Sequence, residues 1–131
     1  MRRCAVAMLD YVPTEHAEQV ALIRWVAHAA PTQPELDWLF AIPNGGHRHR
    51  LVAAKLRAEG VRAGVPDLYL PVARGRWHGL FVEMKRRRGG QLSAEQTIWT
   101  QGLAGQGYQV RVCAGWEAAR DAIQAYLEEA L

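Results

Sequence analysis

The hydrophobic and polar positions of this 131-residue chain follow two periods, one helical and one strand-like. Helical spacing predicts helices over residues 14–30, 93–105 and 116–129, and a basic segment, 49–59, predicts a further helix that ends at Gly60. Short apolar or alternating runs predict strands at 39–42, 65–73, 79–85 and 108–113. The order α, β, α, β, β, α, β, α predicts an α/β fold: a small mixed β-sheet flanked by helices, with residues 1–131 forming one domain.

The two central strands carry charged residues at particular positions. Even-numbered residues in both strands are mostly apolar, whereas Asp67, Glu83 and Lys85 are odd-numbered and share the opposite faces. A turn at 74–76 would pair these strands, so that Asp67 and Glu83, 16 residues apart in sequence, come together. Two carboxylates held close repel each other unless a cation lies between them.

This pattern predicts a metal-dependent site. Oxygen ligands of this kind suit Mg²⁺ or Mn²⁺, and we expect Asp67, Glu83 and the backbone carbonyl of Met84 to hold one or two ions per subunit. Lys85 would position a water molecule or offset charge on the phosphate in the transition state. An isolated Glu-x-Lys pair has a simpler interpretation, two charges on the solvent side of an edge strand. The matching Pro66-Asp67 upstream favours the site.

A third carboxylate is expected on the first helix. Glu18 extends the apolar stripe formed by Leu22, Trp25 and Ala29, so it faces inward. An inward carboxylate at the end of a stripe either meets a cation or caps another group, and we predict that Glu18 belongs to the site, directly or through water. Glu15 is explained by attraction to the positive end of the helix dipole.

Gln96 has two interpretations that the sequence leaves open. Ser93-Ala94-Glu95-Gln96 fits a capping box, in which Gln96 closes the start of a helix. Gln96 also lies on the helix face that carries Trp99 and Leu103 and points towards the sheet, so it is equally a candidate catalytic residue.

Positive charge is concentrated around the proposed site. Residues 44–90 contain eleven Lys or Arg and three acidic residues, a net charge of +8, whereas the remainder has a net charge of −5. This distribution predicts a surface that binds a polyanion such as DNA, although a solvated charged face is the alternative. Candidate phosphate contacts are the run Arg86, Arg87 and Arg88, and a glycine-rich segment before the basic helix that could equally be an ordinary turn: Asn44, Gly45, Gly46, Arg48 and Arg50.

The spacing of the cysteines and the hydropathy of the chain indicate the cellular environment that we expect for the protein. Cys4 and Cys113 have no spacing typical of zinc sites or of a disulfide framework, which favours a reducing, cytoplasmic environment. The apolar stretch at the start ends at Asp10, shorter than the core of a signal peptide, and no later segment is long and apolar enough to span a bilayer.

Three segments resemble the VRR-NUC nucleases of the PD-(D/E)xK superfamily, particularly the short stand-alone proteins of phages and bacteria. They are IPNGGHRHRLVAAKLRAEGVRAGVPDLYLPV, GLFVEMKRRRGGQLSAEQTIW and GYQVRVCAGW, and with Glu18-Gln19 the likeness covers about residues 15–127. Members carry a helix glutamate, a Pro-Asp aspartate, a Glu-x-Lys pair and a glutamine on the following helix. The matching residues here are Glu18, Asp67, Glu83 with Lys85, and Gln96.

The resemblance implies a PD-(D/E)xK (restriction-endonuclease-like) core and a Mg²⁺- or Mn²⁺-dependent DNA endonuclease. Stand-alone members are similar to Holliday-junction resolvases, so it further implies a homodimer that cuts branched DNA. Two other functions stay open at this point: a nucleic-acid-binding module without turnover, and a nuclease that needs free DNA ends.

Overall fold

A computed structural model describes residues 11–43 and 49–130, which form a four-stranded sheet packed against helices. The helices are α1 (Glu15–Ala29), α2 (Arg50–Ala58), α3 (Ala94–Gly105) and α4 (Trp116–Leu127), with a 3₁₀ helix at Pro34–Trp38. The strands are β1 (Phe40–Ala41), β2 (Leu68–Leu70), β3 (Leu80–Lys85) and β4 (Gln109–Ala114). The prediction of a mixed α/β fold is confirmed, and the predicted helix bounds agree with the observed ones to within two residues.

The sheet has the order β1-β2-β3-β4 and is mixed. The first three strands are antiparallel neighbours, whereas β3 and β4 are parallel and are joined through α3. Two parallel strands need a long crossover connection, which explains why a helix separates them in sequence. The carboxyl-terminal end of β3 and the amino-terminal end of α3 therefore lie at the same edge of the sheet.

The strand predicted over 65–73 is much shorter in the structure. Only Leu68–Leu70 pair as β2, because the chain bends at Asp67 and because Pro71 has no N–H for the next ladder position. The Asp67 side chain takes over one ladder position, since its Oδ2 accepts the N–H of Met84 at 2.7 Å. At this ladder position a side-chain hydrogen bond therefore replaces a backbone hydrogen bond. The replacement lies where the two carboxylates meet.

One face of the sheet packs against α1 and α4 and forms the core. Its largest fully buried side chains include Leu22 of α1, Leu80 of β3, and Ile123 and Tyr126 of α4. The Tyr126 hydroxyl donates a hydrogen bond to the backbone carbonyl of Val72, so this polar group is paired within the core. In the described part of the chain, no helix is long and apolar enough to cross a membrane.

The opposite face of β3 is also covered. All six residues of the strand are buried, including Glu83 and Lys85, which are 2% and 7% exposed. The sequence predicted that both charged side chains lie on the outward face of the strand near its end. In the structure they do lie on that face. Their burial follows from α3 and its preceding loop, which pack over that face. Charged groups at this depth require partners.

The segment that leads into Asp67 packs closely against α3. Gly64 has φ +91°, and a Cβ built there would lie 2.6 Å from the backbone carbon of Glu95. The Arg62 guanidinium lies over the ring of Trp99, 5.5 Å from its centroid. Gly64 is therefore required both by its backbone conformation and by the close approach of the two segments. This packing sets the distance between Asp67 and the start of α3.

We predict that Gly64→Ala lowers the free energy of unfolding by about 1–3 kcal/mol, because the methyl group overlaps the α3 backbone and the conformation is strained. Gly102→Ala is the matched control, since Gly102 lies inside α3 with open space around it. That control should stabilise the protein by about 0.5–1 kcal/mol. Urea denaturation measures both changes, and effects of the same sign and size would contradict the role given to Gly64.

Candidate active site

Asp67 and Glu83 meet at the carboxyl-terminal end of β3. Asp67 comes from the bend before β2, and Glu83 lies one residue before Met84, whose N–H binds the Asp67 carboxylate. The two carboxyl groups lie close enough for each to shift the pKa of the other. Because like charges at short range repel, ionisation of one carboxyl disfavours ionisation of the other when no cation lies between them.

Burial raises the pKa of the Glu83 carboxyl to about 8, and the neighbouring Asp67 carboxylate adds to this rise. Burial likewise raises the pKa of Asp67, although the hydrogen bond from the Met84 N–H opposes the rise. The cause in both cases is that the charged form of a carboxyl is disfavoured away from water and next to a like charge. The binding of a cation next to these two carboxyls is therefore strongly favoured.

Gln96 connects this pair to Lys85. Its Nε2 donates to Glu83 Oε1 at 2.9 Å, and its Oε1 accepts from Lys85 Nζ at 2.9 Å. The same Oε1 accepts the N–H of Ser93 at 2.9 Å, while the Ser93 hydroxyl accepts the N–H of Gln96 at 3.1 Å. The capping-box interpretation of Gln96 is therefore confirmed, and the same amide also bridges two charged side chains of β3.

Lys85 is surrounded by acceptors. Besides Gln96, its Nζ lies 3.8 Å from Glu83 Oε1 and 4.0 Å from Glu15 Oε1. The lysine is nearly buried, whereas the Glu15 side chain is 48% exposed. An ammonium group is thus held in a fixed position between a carboxylate of the sheet and a carboxylate of α1.

Glu15 is the site residue that the sequence did not identify. It lines the same cleft as Asp67 and Glu83, and it lies at the first position of α1, directly after the N-cap Thr14. Attraction to the helix dipole explains its place in the first turn but does not exclude a place in the site. The available signal was its spacing of three residues from Glu18, which puts both on neighbouring positions of one helix face.

Glu18 lies elsewhere. It faces inward as predicted and is 2% exposed, but its carboxylate is paired with Arg87, with Oε2 at 2.8 Å from Nε and Oε1 at 3.3 Å from Nη2. Arg87 also binds Glu117 at 2.6 Å. An inward carboxylate was expected either to meet a cation or to cap another group. In the structure Glu18 meets a cation, the guanidinium of Arg87. Glu18 joins α1 to the end of β3 and to α4, and it is not among the residues that line the cleft with Asp67.

The candidate phosphate contacts divide into four groups. Arg86 lines the cleft, and its guanidinium donates to the Val12 carbonyl at 3.1 Å. Arg50 and Arg88 are exposed, whereas Arg87 is held by Glu18 and Glu117 and so differs from its neighbours in the run. The remaining predicted contacts lie outside the described residues: Asn44, Gly45, Gly46 and Arg48.

The site lies in an open cleft of about 1160 Å³ between the start of α1 and the end of α2. Its floor contains Asp67, Glu83 and Gln96, and one wall is formed by residues 41–43 after β1. The amino-terminal ends of α1 and α3 both reach this cleft, which adds positive potential near its floor. A cleft of this size with an acidic floor accommodates an extended, anionic chain once the floor is neutralised.

The donor set can be compared with the needs of a hard cation. The antiparallel register pairs Leu68 with Val82, so two residues further on Met84 faces Pro66, which has no N–H to offer the Met84 carbonyl. Within residues 11–43 and 49–130, no three His, Cys, Asp or Glu side chains form a metal-ligand cluster. A bound ion would therefore take two carboxylates and a backbone carbonyl, as Mg²⁺ does when it keeps several waters. The residues present fit such an ion.

The fold and the site together define a nuclease-type α/β domain. The chain belongs to the VRR-NUC family, since the VRR-NUC domain model matches residues 13–117. It is also similar to a solved structure described as a VRR_NUC domain protein, with 29% sequence identity and a TM-score of 0.76. That similarity covers 90% of this chain and 91% of the other. No curated protein matches the sequence.

The raised pKa of Glu83 predicts a pH dependence of stability in the metal-free protein. The folded state holds a proton at Glu83 up to about pH 8, whereas the unfolded chain loses it near 4.5. The stabilisation from this group is therefore complete below pH 4.5 and is lost as the pH rises to about 8. Urea denaturation in EDTA from pH 5 to 8 should show this fall, and Glu83→Gln should flatten it. Equal slopes for the two proteins would contradict the assignment.

Arg87 is predicted to stabilise the fold. Arg87→Ala leaves the Glu18 carboxylate buried without its counter-charge, so the free energy of unfolding should fall by about 2–3 kcal/mol. Arg88→Ala, the neighbouring and exposed control, should change it by less than about 0.5 kcal/mol. Thermal and urea unfolding distinguish the two variants. If both retain the stability of the original protein, the pairing seen at Arg87 has no structural importance.

Proposed function

We propose that this protein is a Mg²⁺- or Mn²⁺-dependent DNA endonuclease that hydrolyses phosphodiester bonds in branched DNA. The observation that carries the proposal is the approach of the half-buried Asp67 carboxyl to the buried Glu83 carboxyl, both of raised pKa, beside a lysine that is hydrogen-bonded to Gln96. Perturbed carboxyls in an open cleft are typical of functional sites. Membership of the VRR-NUC family supports nuclease chemistry independently of this geometry.

Each residue has a distinct part in the proposed reaction. Asp67, Glu83 and the Met84 carbonyl would hold the ion, which when bound supplies a Lewis acid and lowers the pKa of a water molecule. Lys85 orients the attacking water or faces the charge that develops on the phosphate. Gln96 fixes Lys85 and Glu83 relative to each other. Glu15, 4.0 Å from Lys85, completes the acidic side of the cleft and takes the role that the sequence gave to Glu18.

DNA as the substrate is supported by charge. Residues 44–90 carry a net charge of +8 in sequence, and two of their arginines, Arg57 and Arg86, line the cleft with the acidic floor, so the arginines would bind phosphates while the floor binds cations. A cytoplasmic setting is part of the proposal, since Cys113 is buried and free.

Branched DNA and a homodimer are the finer parts of the proposal, and they depend on the resemblance to stand-alone VRR-NUC proteins. One feature of the surface favours a dimer. Phe40, Ile98 and Val112 are 52%, 68% and 44% exposed, and exposed apolar side chains are suited to contact with a second copy. Two sites in one dimer could then cut opposed strands of a junction.

The first experiment tests cleavage itself. Labelled four-way junctions are incubated with Mg²⁺ or with EDTA, using the original protein, Asp67→Asn, Glu83→Ala and Lys85→Ala. We expect cleavage only with the metal and a loss of at least about a hundredfold in each variant, because each removes an ion ligand or the group next to the reacting phosphate. DNA binding should persist in Lys85→Ala. Cleavage by Glu83→Ala at the original rate would reject the site.

The second experiment tests the substrate. Junctions, flaps, plain duplexes and covalently closed circles are compared at equal concentration, and sedimentation gives the oligomeric state. Symmetric cuts in the junction by a dimer are expected. Resistance of closed circles together with cutting of linear ends would identify an end-dependent nuclease. Salt-sensitive binding that is indifferent to Mg²⁺, with no cleavage, would identify a binding module.

A further inference from the structure

The residues that line the cleft have an imbalance of charge. Within residues 11–43 and 49–130, four carboxylate residues face it, against two arginines, Arg57 and Arg86, and one histidine, His16. The four are Glu15, Asp67, Glu83 and Glu95. When a divalent ion compensates Asp67 and Glu83, a phosphate chain that enters this cleft is still repelled by Glu15 and Glu95. Cations on the walls are therefore needed where the flanking phosphates lie.

Arg57 lines the cleft and lies near the end of α2. Arg50 and Arg57 are seven residues apart, two turns of helix, and so occupy one stripe about 10 Å long. Ala53, the buried residue of α2, lies four residues before Arg57 and shows that this stripe is the inward one. Lys55 is two residues from Ala53 and projects to the opposite side.

Arg57 has no competing partner in the described ranges. Neither a hydrogen bond nor an ion pair is made by its guanidinium there, whereas Arg86 is bound to the Val12 carbonyl and Arg87 to two glutamates. An exposed arginine with all of its donors available, at the wall of a cleft, is suited to bidentate binding of a phosphate.

The position of Arg57 relative to Asp67 is fixed by the backbone. Gly60 has φ +102° and ends α2, and the N–H of Val61 bonds the carbonyl of Leu56 at 2.9 Å. The chain then passes through Gly64, whose contact with α3 is described above, to reach Asp67. Arg57 and the carboxylate pair thus belong to one connected wall and floor.

We propose that Arg57 binds a phosphate of the DNA strand next to the one that is cut, and that the strand runs along the inward stripe of α2. This inference rests on the proposed nuclease function and adds a contact to it. The basic segment 49–59 is thereby divided into an inward side that binds the substrate strand and an outward side, with Lys55, that remains in solvent.

The test compares Arg57→Ala with Lys55→Ala, which removes the same charge from the other side of the same helix. DNA affinity is measured by fluorescence anisotropy from 50 to 200 mM salt with Ca²⁺ in place of Mg²⁺, and gels verify that the DNA stays intact. Arg57→Ala should bind about tenfold more weakly and lower the slope of log K against log salt by about 0.9, the value for one phosphate contact. Lys55→Ala should leave the slope unchanged.

The outcomes separate this inference from the function on which it rests. Both side chains are exposed, so thermal unfolding should show that both variants keep their fold. Equal slopes and affinities for the two variants, with DNA binding by the original protein intact, would overturn the role of Arg57 and leave the nuclease proposal standing. Failure of the original protein to bind or cut DNA would instead overturn the nuclease proposal.

Discussion

The contact between Asp67 and Glu83 is the constraint on which the rest of this structure depends. Two neighbouring carboxyls whose charged forms are disfavoured by burial would separate unless their positions were fixed by other bonds. The Met84 N–H holds Asp67 at 2.7 Å, and Gln96 holds Glu83 at 2.9 Å. The remaining elements can be understood as the means of bringing these four groups to one edge of the sheet, because the loop after β3 places Gln96, at the start of α3, beside the end of β3.

Gln96 shows how local folding and the site are coupled. A capping glutamine normally satisfies only its own helix, at the level of about 1 kcal/mol. Here the amide also binds Glu83 and Lys85, so the start of α3 and the charges of β3 form one hydrogen-bonded unit. Formation of the helix therefore orients Lys85, and the geometry of the site depends on a local signal that is visible in the sequence.

The fold and the central pair could be predicted from the sequence because periodicity determines which side of a strand or helix a residue occupies. Asp67, Glu83 and Lys85 are on the predicted side, and Glu18 faces inward as its stripe required. Periodicity does not determine which residue of another element lies opposite. Glu18 meets Arg87, and Glu15, one turn earlier on the same helix, faces the cleft. Which of the two glutamates faces the cleft follows from the angle and height at which α1 crosses the sheet. Both depend on packing across the whole core.

The same limit applies to the positive charges. Composition alone treats Arg57, Arg86 and Arg87 as equivalent, since all lie in one basic stretch. In the structure Arg87 is neutralised by two glutamates, Arg86 is tied to a backbone carbonyl, and only Arg57 combines a place on the cleft wall with uncommitted donors in the described ranges. A count of basic residues therefore measures the potential around the site, whereas the individual contacts with a phosphate depend on which arginines the fold has already paired. Glu18 and Glu117 already accept hydrogen bonds from the donors of Arg87 that DNA would otherwise use.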